Sequence, residues 1–280
     1  MDSTCKSETV LGPLIAVGRT SKIFRHGNDA VAKVLDPQWP DHWIAVEASL
    51  TQSVRALGVP APKVLDVTVV DGRPAILFEY IAGPSLWHQM STDRSSIPSL
   101  VRELAEMQRL IHSIGVPDGL PGMVSRRCDK LATLEAVSED ERDLAIDMTI
   151  ALPRGGALLH GDFHPGNILV GESSLVVIDW FDAAVGHPIA DIARTELLLD
   201  AHDVTDRQHL PRATDADLDA LSAAYGFEMV DGIDAPDGCL DRWRAITALS
   251  RLTERTDDDV ELLVARWNDA RRRWPVIADA

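Results

Sequence analysis

The pattern of hydrophobic and polar positions divides the chain into a strand-rich first part and a helix-rich remainder. Within the first eighty residues, short runs rich in β-branched side chains, separated by turn-forming residues, predict strands at PLIAV, AVAKVL, KVLDVTVV and RPAILFEY. Asp71 and Gly72, between the last two runs, are typical of a two-residue hairpin turn. One amphipathic helix is predicted among these strands, beginning after Asp41 and ending at Gly58.

Beyond residue 84 the apolar positions follow the helical period instead. This period predicts a long helix from Ile97 to Gly115, and Ser138 with Glu141 has the spacing of a capping box at the start of another helix. Three short apolar runs, at 157–159, 168–170 and 175–178, interrupt the helical pattern before it resumes. We therefore predict an α+β chain with a small β-rich lobe at residues 1–81 and a larger, mainly helical lobe at residues 82–280.

Charge and cysteine content narrow the range of functions. The formal net charge is -17, which disfavours nucleic-acid binding because phosphate backbones require basic surfaces. The three cysteines are far apart and form no C-x-x-C pair, as expected of reduced thiols in a cytosol. The N-terminal residues lack the features of an export signal, and no apolar run reaches the length of a membrane span. A cytoplasmic protein without a membrane or nucleic-acid partner is expected.

The segment LLHGDFHPGNILV, residues 158–170, places several polar side chains between two apolar runs. A structural turn needs only the Gly and the Pro, which leaves His160, Asp162, His164 and Asn167 unexplained. A metal centre of the two histidines and Asp162 is disfavoured, because alternating residues of an extended segment point to opposite faces. Phosphoryl transfer explains more of the pattern, because it needs a carboxylate that accepts a hydroxyl proton and oxygen ligands for Mg²⁺.

The spacing of these residues favours phosphoryl transfer. Asp162 and Asn167 are five residues apart in an H-x-D-x-x-x-x-N pattern, the arrangement of a kinase catalytic loop. Twelve residues after Asn167, the apolar run VVIDW contains Asp179, which resembles the metal-binding aspartate of the kinase D-F-G motif with Trp180 in place of Phe. Either motif alone is a weak signal, but both in this order and at this separation form a strong one.

The motifs HGDFHPGNIL and VIDWFDAAVGHPIADIA together resemble the aminoglycoside phosphotransferase family, within the protein-kinase-like superfamily of small-molecule kinases. The resemblance extends over most of the chain and implies a bilobal kinase-like fold. It implies that Asp162 is the catalytic base and that Asn167 and Asp179 bind Mg²⁺. Asp191 resembles the family acid that anchors the catalytic-loop backbone; an ordinary helix N-cap or an exposed acid is an equal alternative. The role of His164 stays open.

The resemblance assigns the phosphate contacts of the nucleotide to the first lobe. Lys33 lies mid-strand among apolar residues, where an unpaired ammonium is costly. In a kinase-like protein this lysine binds the α- and β-phosphates and pairs with Glu47 of the following helix. A G-x-G-x-x-G loop is absent. The segment with Gly18, Thr20 and Ser21 resembles the degenerate phosphate loops of small-molecule kinases; a polar turn is the alternative.

The stretch FEYIAG, residues 78–83, resembles a kinase hinge. In that comparison the Glu79 carbonyl and the Ile81 N–H contact the edge of the nucleobase. Because backbone atoms make these contacts, both ATP and GTP stay open as the phosphate donor.

The expected acceptor is a hydroxyl group of a small molecule. Residues 200–261 contain sixteen Asp and Glu against six Lys and Arg, which resembles the acidic lobe that binds cationic aminoglycosides or amino sugars in this family. A solvated helical surface is the alternative. Kinases of choline, homoserine or macrolide type, and a kinase-like pseudoenzyme or regulatory nucleotide-binding module, are the other functions considered. The pseudoenzyme is disfavoured because Lys33, Asp162, Asn167 and Asp179 are all present.

Overall fold

The computed structural model describes residues 11–172, 174–199, 215–254 and 260–273. The chain divides into two compact units. Of the described residues, the first unit contains those up to Pro84 together with Ile168–Phe181, and the second contains Ser85–Asn167 and those from Asp182 onwards. Strands dominate the N-terminal region and helices dominate the C-terminal region, so the predicted α+β class is confirmed.

The first unit is built on a five-stranded antiparallel sheet. Its strands are β1 (Leu14–Val17), β2 (Ser21–His26), β3 (Ala30–Leu35), β4 (Val64–Val70) and β5 (Arg73–Glu79), in the spatial order β1-β2-β3-β5-β4. Asp71 and Gly72 both have positive φ, as a type I′ turn requires, so the predicted hairpin between β4 and β5 is confirmed. Strand β2 was not predicted, because its sequence SKIFRH is largely polar.

Helix α1 (His42–Ala56) packs against this sheet. Its Ile44 and Ala48 join Leu35, Ile76 and Phe78 in one buried cluster. The helix ends two residues before Gly58, which has a φ of +97°. Asp41 stands at the N-cap position as predicted, but its side chain makes no capping hydrogen bond. The helix is therefore held by its apolar face against the sheet.

The second unit is mainly helical. Its helices are α2 (Leu86–Thr92), α3 (Ile97–Ser113), α4 (Met123–Ala132), α5 (Glu139–Ile150), α6 (Pro188–Leu199), α7 (Asp215–Val230), α8 (Cys239–Arg251) and α9 (Val260–Arg273). Helix α6 is almost entirely buried and packs against α7 and α8. The Ser138 hydroxyl accepts the Glu141 N–H at the start of α5, as predicted. Within the described residues, no helix has both the length and the apolar character needed to cross a bilayer.

In the sequence, one short strand precedes the segment predicted to be catalytic and another follows it, and each pairs with a further short strand. The pairs are β6 (Ala157–Leu159) with β9 (Ala184–Gly186) in the second unit, and β7 (Ile168–Val170) with β8 (Leu175–Val177) in the first. The Val170 N–H donates to the Pro84 carbonyl and the Val177 N–H to the Pro60 carbonyl. These bonds attach the β7–β8 hairpin to the sheet unit, whereas the sequence assigned all of residues 82–280 to the helical lobe.

Gly83 provides a test of this attachment. A Cβ at Gly83 would lie 1.8 Å from the Val170 carbonyl oxygen, so we expect Gly83→Ala to reduce the free energy of unfolding by at least about 2 kcal/mol through overpacking. Gly122→Ala is the matched control, because a Cβ there meets no atom within 4 Å. Urea unfolding measures both variants. Equal stability of Gly83→Ala and the wild type would contradict the close approach.

Candidate active site

Lys33 lies in the middle of the sheet of the first unit and is 7% exposed. Its ammonium donates to Glu47 Oε1 at 2.6 Å and to Asp179 Oδ1 at 3.1 Å. Burial disfavours the charged form of Lys33, but Asp179 and Glu47 outweigh this effect and raise its pKa above the ordinary value. Lys33 is therefore a cation at physiological pH, held between a helix carboxylate and a carboxylate that follows β8.

Asp179 has an unusual backbone conformation. Its φ is +64°, in the left-handed region that residues other than glycine seldom adopt and that often marks functional sites. Its side chain is 42% exposed, so the carboxylate is accessible while it accepts from Lys33. Trp180, which follows, is buried and donates from Nε1 to the Val177 carbonyl at 2.9 Å. This bond closes the turn that carries Asp179.

An aromatic contact connects the same turn to α1. The Phe181 ring packs on Trp43 with centroids 4.6 Å apart, and Trp43 stacks on Trp39 at 4.9 Å. Trp43 lies one helical turn before Glu47, on the same side of α1. Helix α1 is thus connected to the Asp179 segment through Glu47 and Lys33 and also through Trp43.

The predicted nucleotide-contacting segments lie at the ends of the strands of the first unit. The Gly18 N–H donates to the Ser21 carbonyl at 2.9 Å, which forms a tight turn between β1 and β2. Ser21 is buried, and the Thr20 carbonyl accepts the N–H of Asp36 at 2.9 Å. Glu79 ends β5, and its carboxylate accepts the N–H of Lys63 at 2.7 Å. Ile81 follows in the non-helical connection that leads to Pro84.

The catalytic loop, which we define as residues 160–167, begins after β6 in the second unit. Gly161 has a φ of +80°, and a Cβ there would lie 2.1 Å from the Asp182 carbonyl oxygen, so only glycine fits. At the end of the loop, the Asn167 amide nitrogen donates to the Asp162 carbonyl at 2.9 Å. Because the nitrogen makes this bond, the amide oxygen is the end that suits a cation.

Asp191 anchors the catalytic loop from α6. Its carboxylate is fully buried and accepts the N–H groups of His160 at 3.1 Å and Gly161 at 2.8 Å. Gln108 Nε2 and His112 Nε2 lie 3.1 Å and 3.0 Å from Asp191 Oδ2. Burial disfavours ionisation, but these hydrogen bonds and the neighbouring His112 outweigh it and lower the pKa of Asp191. The anchoring role is confirmed, and the alternative of an exposed acid is wrong.

The two histidines of the loop make local contacts. His160 Nδ1 accepts the Asp162 N–H at 3.3 Å, and His164 Nδ1 accepts the Gly166 N–H at 3.1 Å. No three His, Cys, Asp or Glu side chains of the described residues form a group that could hold a metal ion. The disfavoured metal centre of His160, Asp162 and His164 is therefore not formed.

The carboxylate of Asp162 is paired with an arginine that the sequence analysis missed. Asp162 Oδ1 accepts from Arg194 Nη2 at 2.7 Å and from Nε at 3.2 Å. Burial disfavours ionisation of Asp162, but Arg194 and His164 outweigh it and hold its pKa well below the ordinary value. One signal was present in the sequence: Arg194 interrupts the apolar run of α6, and an arginine among buried residues requires an anionic partner.

Arg194 belongs to a chain of ion pairs within the second unit. Its Nη2 also donates to Glu254 Oε2 at 2.8 Å, and Glu254 pairs with Lys130 and Arg251 at 2.7 Å each. Lys130 lies 3.8 Å from Asp182, beside β9. Lys130 comes from α4, Arg251 ends α8 and Glu254 lies in the 3-10 turn that follows it. Several elements therefore converge on Arg194 of α6, the residue that pairs with Asp162.

Two arrangements define the class of this protein as the kinase-like phosphotransferases. In the first unit, a lysine of the sheet is held by two carboxylates. In the helical unit, one loop carries an aspartate and an asparagine. The sequence model of the phosphotransferase enzyme family matches residues 14–239. The chain belongs to this family and is a phosphotransferase enzyme, as the sequence motifs implied. Comparison with curated protein sequences gives no match.

Similar solved structures support the fold. A thermostable mutant of aminoglycoside phosphotransferase APH(4)-Ia shares 17% identity over 94% of both chains, with a TM-score of 0.64. A choline/ethanolamine kinase family protein from Mesorhizobium loti shares 19% identity over 93% of this chain and 87% of that chain, with a TM-score of 0.60. Amicoumacin kinase hAmiN, solved with AMP-PNP and Ca²⁺, shares 13% identity over 94% and 88%, with a TM-score of 0.61.

The structure thus brings together Lys33, Glu47 and Asp179 in the first unit, and Asp162 and Asn167 in the second. The nucleotide roles of Gly18, Thr20, Ser21, Glu79 and Ile81 stay predictions.

The anchoring carboxylate allows a test of the second unit. We expect Asp191→Asn to lower the free energy of unfolding by about 2–4 kcal/mol, because an amide cannot accept both loop N–H groups and its buried partners lose their acceptor. Urea unfolding measures the loss, with the exposed Asp143→Asn as control. Because the folded pKa of Asp191 is lowered, its stabilisation is present above about pH 4 and is lost on acidification. The difference between wild type and variant should therefore shrink at low pH; a constant difference would contradict an ionised anchor.

Proposed function

We propose that this enzyme transfers the γ-phosphoryl group of ATP or GTP to a hydroxyl group of a small molecule. The observation that carries the proposal is the group of Lys33, Glu47 and Asp179 in the first unit. Kinase-like transfer needs a lysine on the α- and β-phosphates, an acid that orients this lysine, and a second acid for the metal ion. A purely structural ion pair requires neither the left-handed backbone nor the accessible carboxylate of Asp179.

The catalytic loop supports the same reaction. In this proposal Asp162 orients the acceptor hydroxyl and takes its proton, and it is ionised as this role requires. Asn167 and Asp179 are the proposed Mg²⁺ ligands, because carboxylate and amide oxygens are the ligands that Mg²⁺ prefers. When bound, Mg²⁺ would neutralise charge on the β- and γ-phosphates. The Asn167 hydrogen bond to the loop backbone holds the amide with its nitrogen engaged.

The further proposed contacts with the phosphates and the contacts with the nucleobase come from residues at the ends of the strands of the first unit. Backbone groups of the turn with Gly18 and Thr20 are proposed to contact the phosphates. Ser21 is buried, which favours main-chain contacts over its hydroxyl. The Glu79 carbonyl and the Ile81 N–H are the proposed contacts for the nucleobase, and they leave ATP and GTP as alternatives.

An amine-containing alcohol, such as an aminoglycoside or amino sugar, is the proposed acceptor. Similar structures include complexes of aminoglycoside phosphotransferases with hygromycin B and with streptomycin. In this chain Asp231, Asp234, Asp237 and Asp241 are exposed on the segment from the end of α7 into α8. Residues 200–214 and 255–259 of the acid-rich stretch lie outside the described residues. Acceptors of choline, homoserine or macrolide type are the competing candidates.

Two substitutions separate catalysis from nucleotide binding. Asp162→Asn should keep Mg²⁺-dependent nucleotide binding in calorimetry while lowering turnover by about 10²–10⁴, the range for a lost general base. Asp179→Ala should weaken nucleotide binding in Mg²⁺, because it removes a metal ligand and a partner of Lys33. The exposed Asp118→Asn is the control for both. Full turnover in Asp162→Asn, or Mg²⁺-independent nucleotide binding, would contradict these roles.

The acceptor class is tested with a panel of aminoglycosides, amino sugars, amino alcohols, nucleosides and a macrolide in a coupled ADP-release assay. For a cationic acceptor, KM should rise clearly between low salt and about 0.5 M salt, because at about 0.5 M salt screens attraction to the acidic surface beyond about 4 Å. The deaminated analogue of the best acceptor should show a salt-independent KM. A preferred neutral acceptor would refute the cationic class and leave the phosphotransfer assignment in place.

A further inference from the structure

The proposed catalytic carboxylate is held by a side chain outside the family motifs. Two donors of Arg194 converge on one oxygen of Asp162, Oδ1. We infer that Arg194 is a positioning residue for Asp162: it fixes the carboxylate through Oδ1, so that Oδ2 is the oxygen that receives the proton of the acceptor hydroxyl. This inference deepens the proposed function and rests on it.

The geometry distinguishes the two oxygens. Rotation of the carboxylate about its Cβ–Cγ bond would exchange Oδ1 and Oδ2, and the paired N–H donors of Arg194 oppose that rotation. Oδ2 lies 3.9 Å from His164 Nε2, beyond hydrogen-bond distance, and the Asp162 side chain is 25% exposed. A fixed orientation matters, because a displacement of about 1 Å at a reacting group can cost about 100-fold in rate.

Arg194 is itself fixed on both sides. Its side chain is 2% exposed, and Nη2 donates to Glu254 Oε2 at 2.8 Å as well as to Asp162. Glu254 is held in turn by Lys130 and Arg251. The guanidinium therefore bridges two carboxylates, and it cannot move away from either carboxylate without breaking a buried charged hydrogen bond.

Helix α6 holds the catalytic loop in two ways. Asp191 accepts the backbone N–H groups of His160 and Gly161, and Arg194, three residues later on the same side of the helix, holds the Asp162 side chain. A helix that is buried almost throughout is a rigid support, as precise placement of a reacting group requires. Backbone and side chain of the loop are thus located from one element.

A purely structural ion pair is the competing explanation, and the same helix provides the comparison. Arg244 of α8 pairs with Glu196 of α6 through Nε at 2.7 Å and Nη2 at 2.8 Å. The same two nitrogens donate here, but to separate oxygens of Glu196, whereas those of Arg194 share one oxygen of Asp162. The pair does not include Asp162. Arg244 is 47% exposed and Arg194 is 2% exposed, so Arg244→Met controls for the loss of an arginine–carboxylate pair on α6 and not for the burial of Arg194.

The test is a kinetic double-mutant cycle with the preferred acceptor of the panel. Arg194→Met should lower kcat by about 10–100-fold and change KM for the nucleotide by less than about threefold, because orientation and not nucleotide binding is lost. Arg194→Lys, which keeps the charge without the fork, should fall between wild type and Arg194→Met. Arg244→Met should keep the wild-type kcat. In an Asp162→Asn background, Arg194→Met should change the residual kcat by less than about threefold.

Each outcome has a defined meaning. If Arg194→Met lowers kcat equally in the wild-type and Asp162→Asn backgrounds, or leaves kcat unchanged, the positioning role is overturned while the wild type still transfers phosphate. If Arg194→Met does not fold, Arg194→Lys and Glu254→Gln replace it in the double-mutant cycle. Non-additive effects on kcat with Asp162→Asn are again the expected result. A wild type without turnover on any acceptor would refute the proposed function itself.

Discussion

Lys33 can be buried only because Glu47 and Asp179 neutralise it, and the organisation of the first unit follows from that requirement. A central strand, a helix and a turn more than a hundred residues further along the chain must meet at one ammonium. The aromatic contact of Trp43 with Phe181 reinforces the same meeting point. The turn after β8 belongs to the sheet unit for this reason, although it is distant in sequence.

The second unit also contains buried charges that need partners, one of them an anion and the other a cation. Asp191 is a buried anion stabilised by N–H groups, and Arg194 is a buried cation between Asp162 and Glu254. Such groups add little net stability but are costly to leave unpaired. They therefore specify one arrangement of the loop, whereas apolar packing alone tolerates several. A fixed position of the Asp162 carboxylate, the proposed reacting group, is what these buried charges provide.

Local patterns predicted much of this architecture. The alternation in AVAKVL, the turn at Asp71–Gly72 and the loop spacing each depend on neighbours within a few residues, and the structure bears out the strand and the turn. Strand β2 was missed because the polar SKIFRH is a strand only through pairing on both sides. The contact of Arg194 with Glu254 could not be predicted from the sequence, because sixty residues separate the two and only packing of α6 beside α8 brings them together.

The support of the loop from α6 has an evolutionary consequence. The groups that hold the proposed reacting carboxylate come from the buried interior, while the acidic side chains Asp231, Asp234 and Asp237 after α7 are exposed. Substitutions on that exposed segment leave the ion pairs around Asp162 untouched, so under the proposed function the recognised compound can change without loss of the chemical step. Such a separation allows one scaffold to diversify far in sequence while its fold persists, in keeping with structures of the same fold at 13–19% identity.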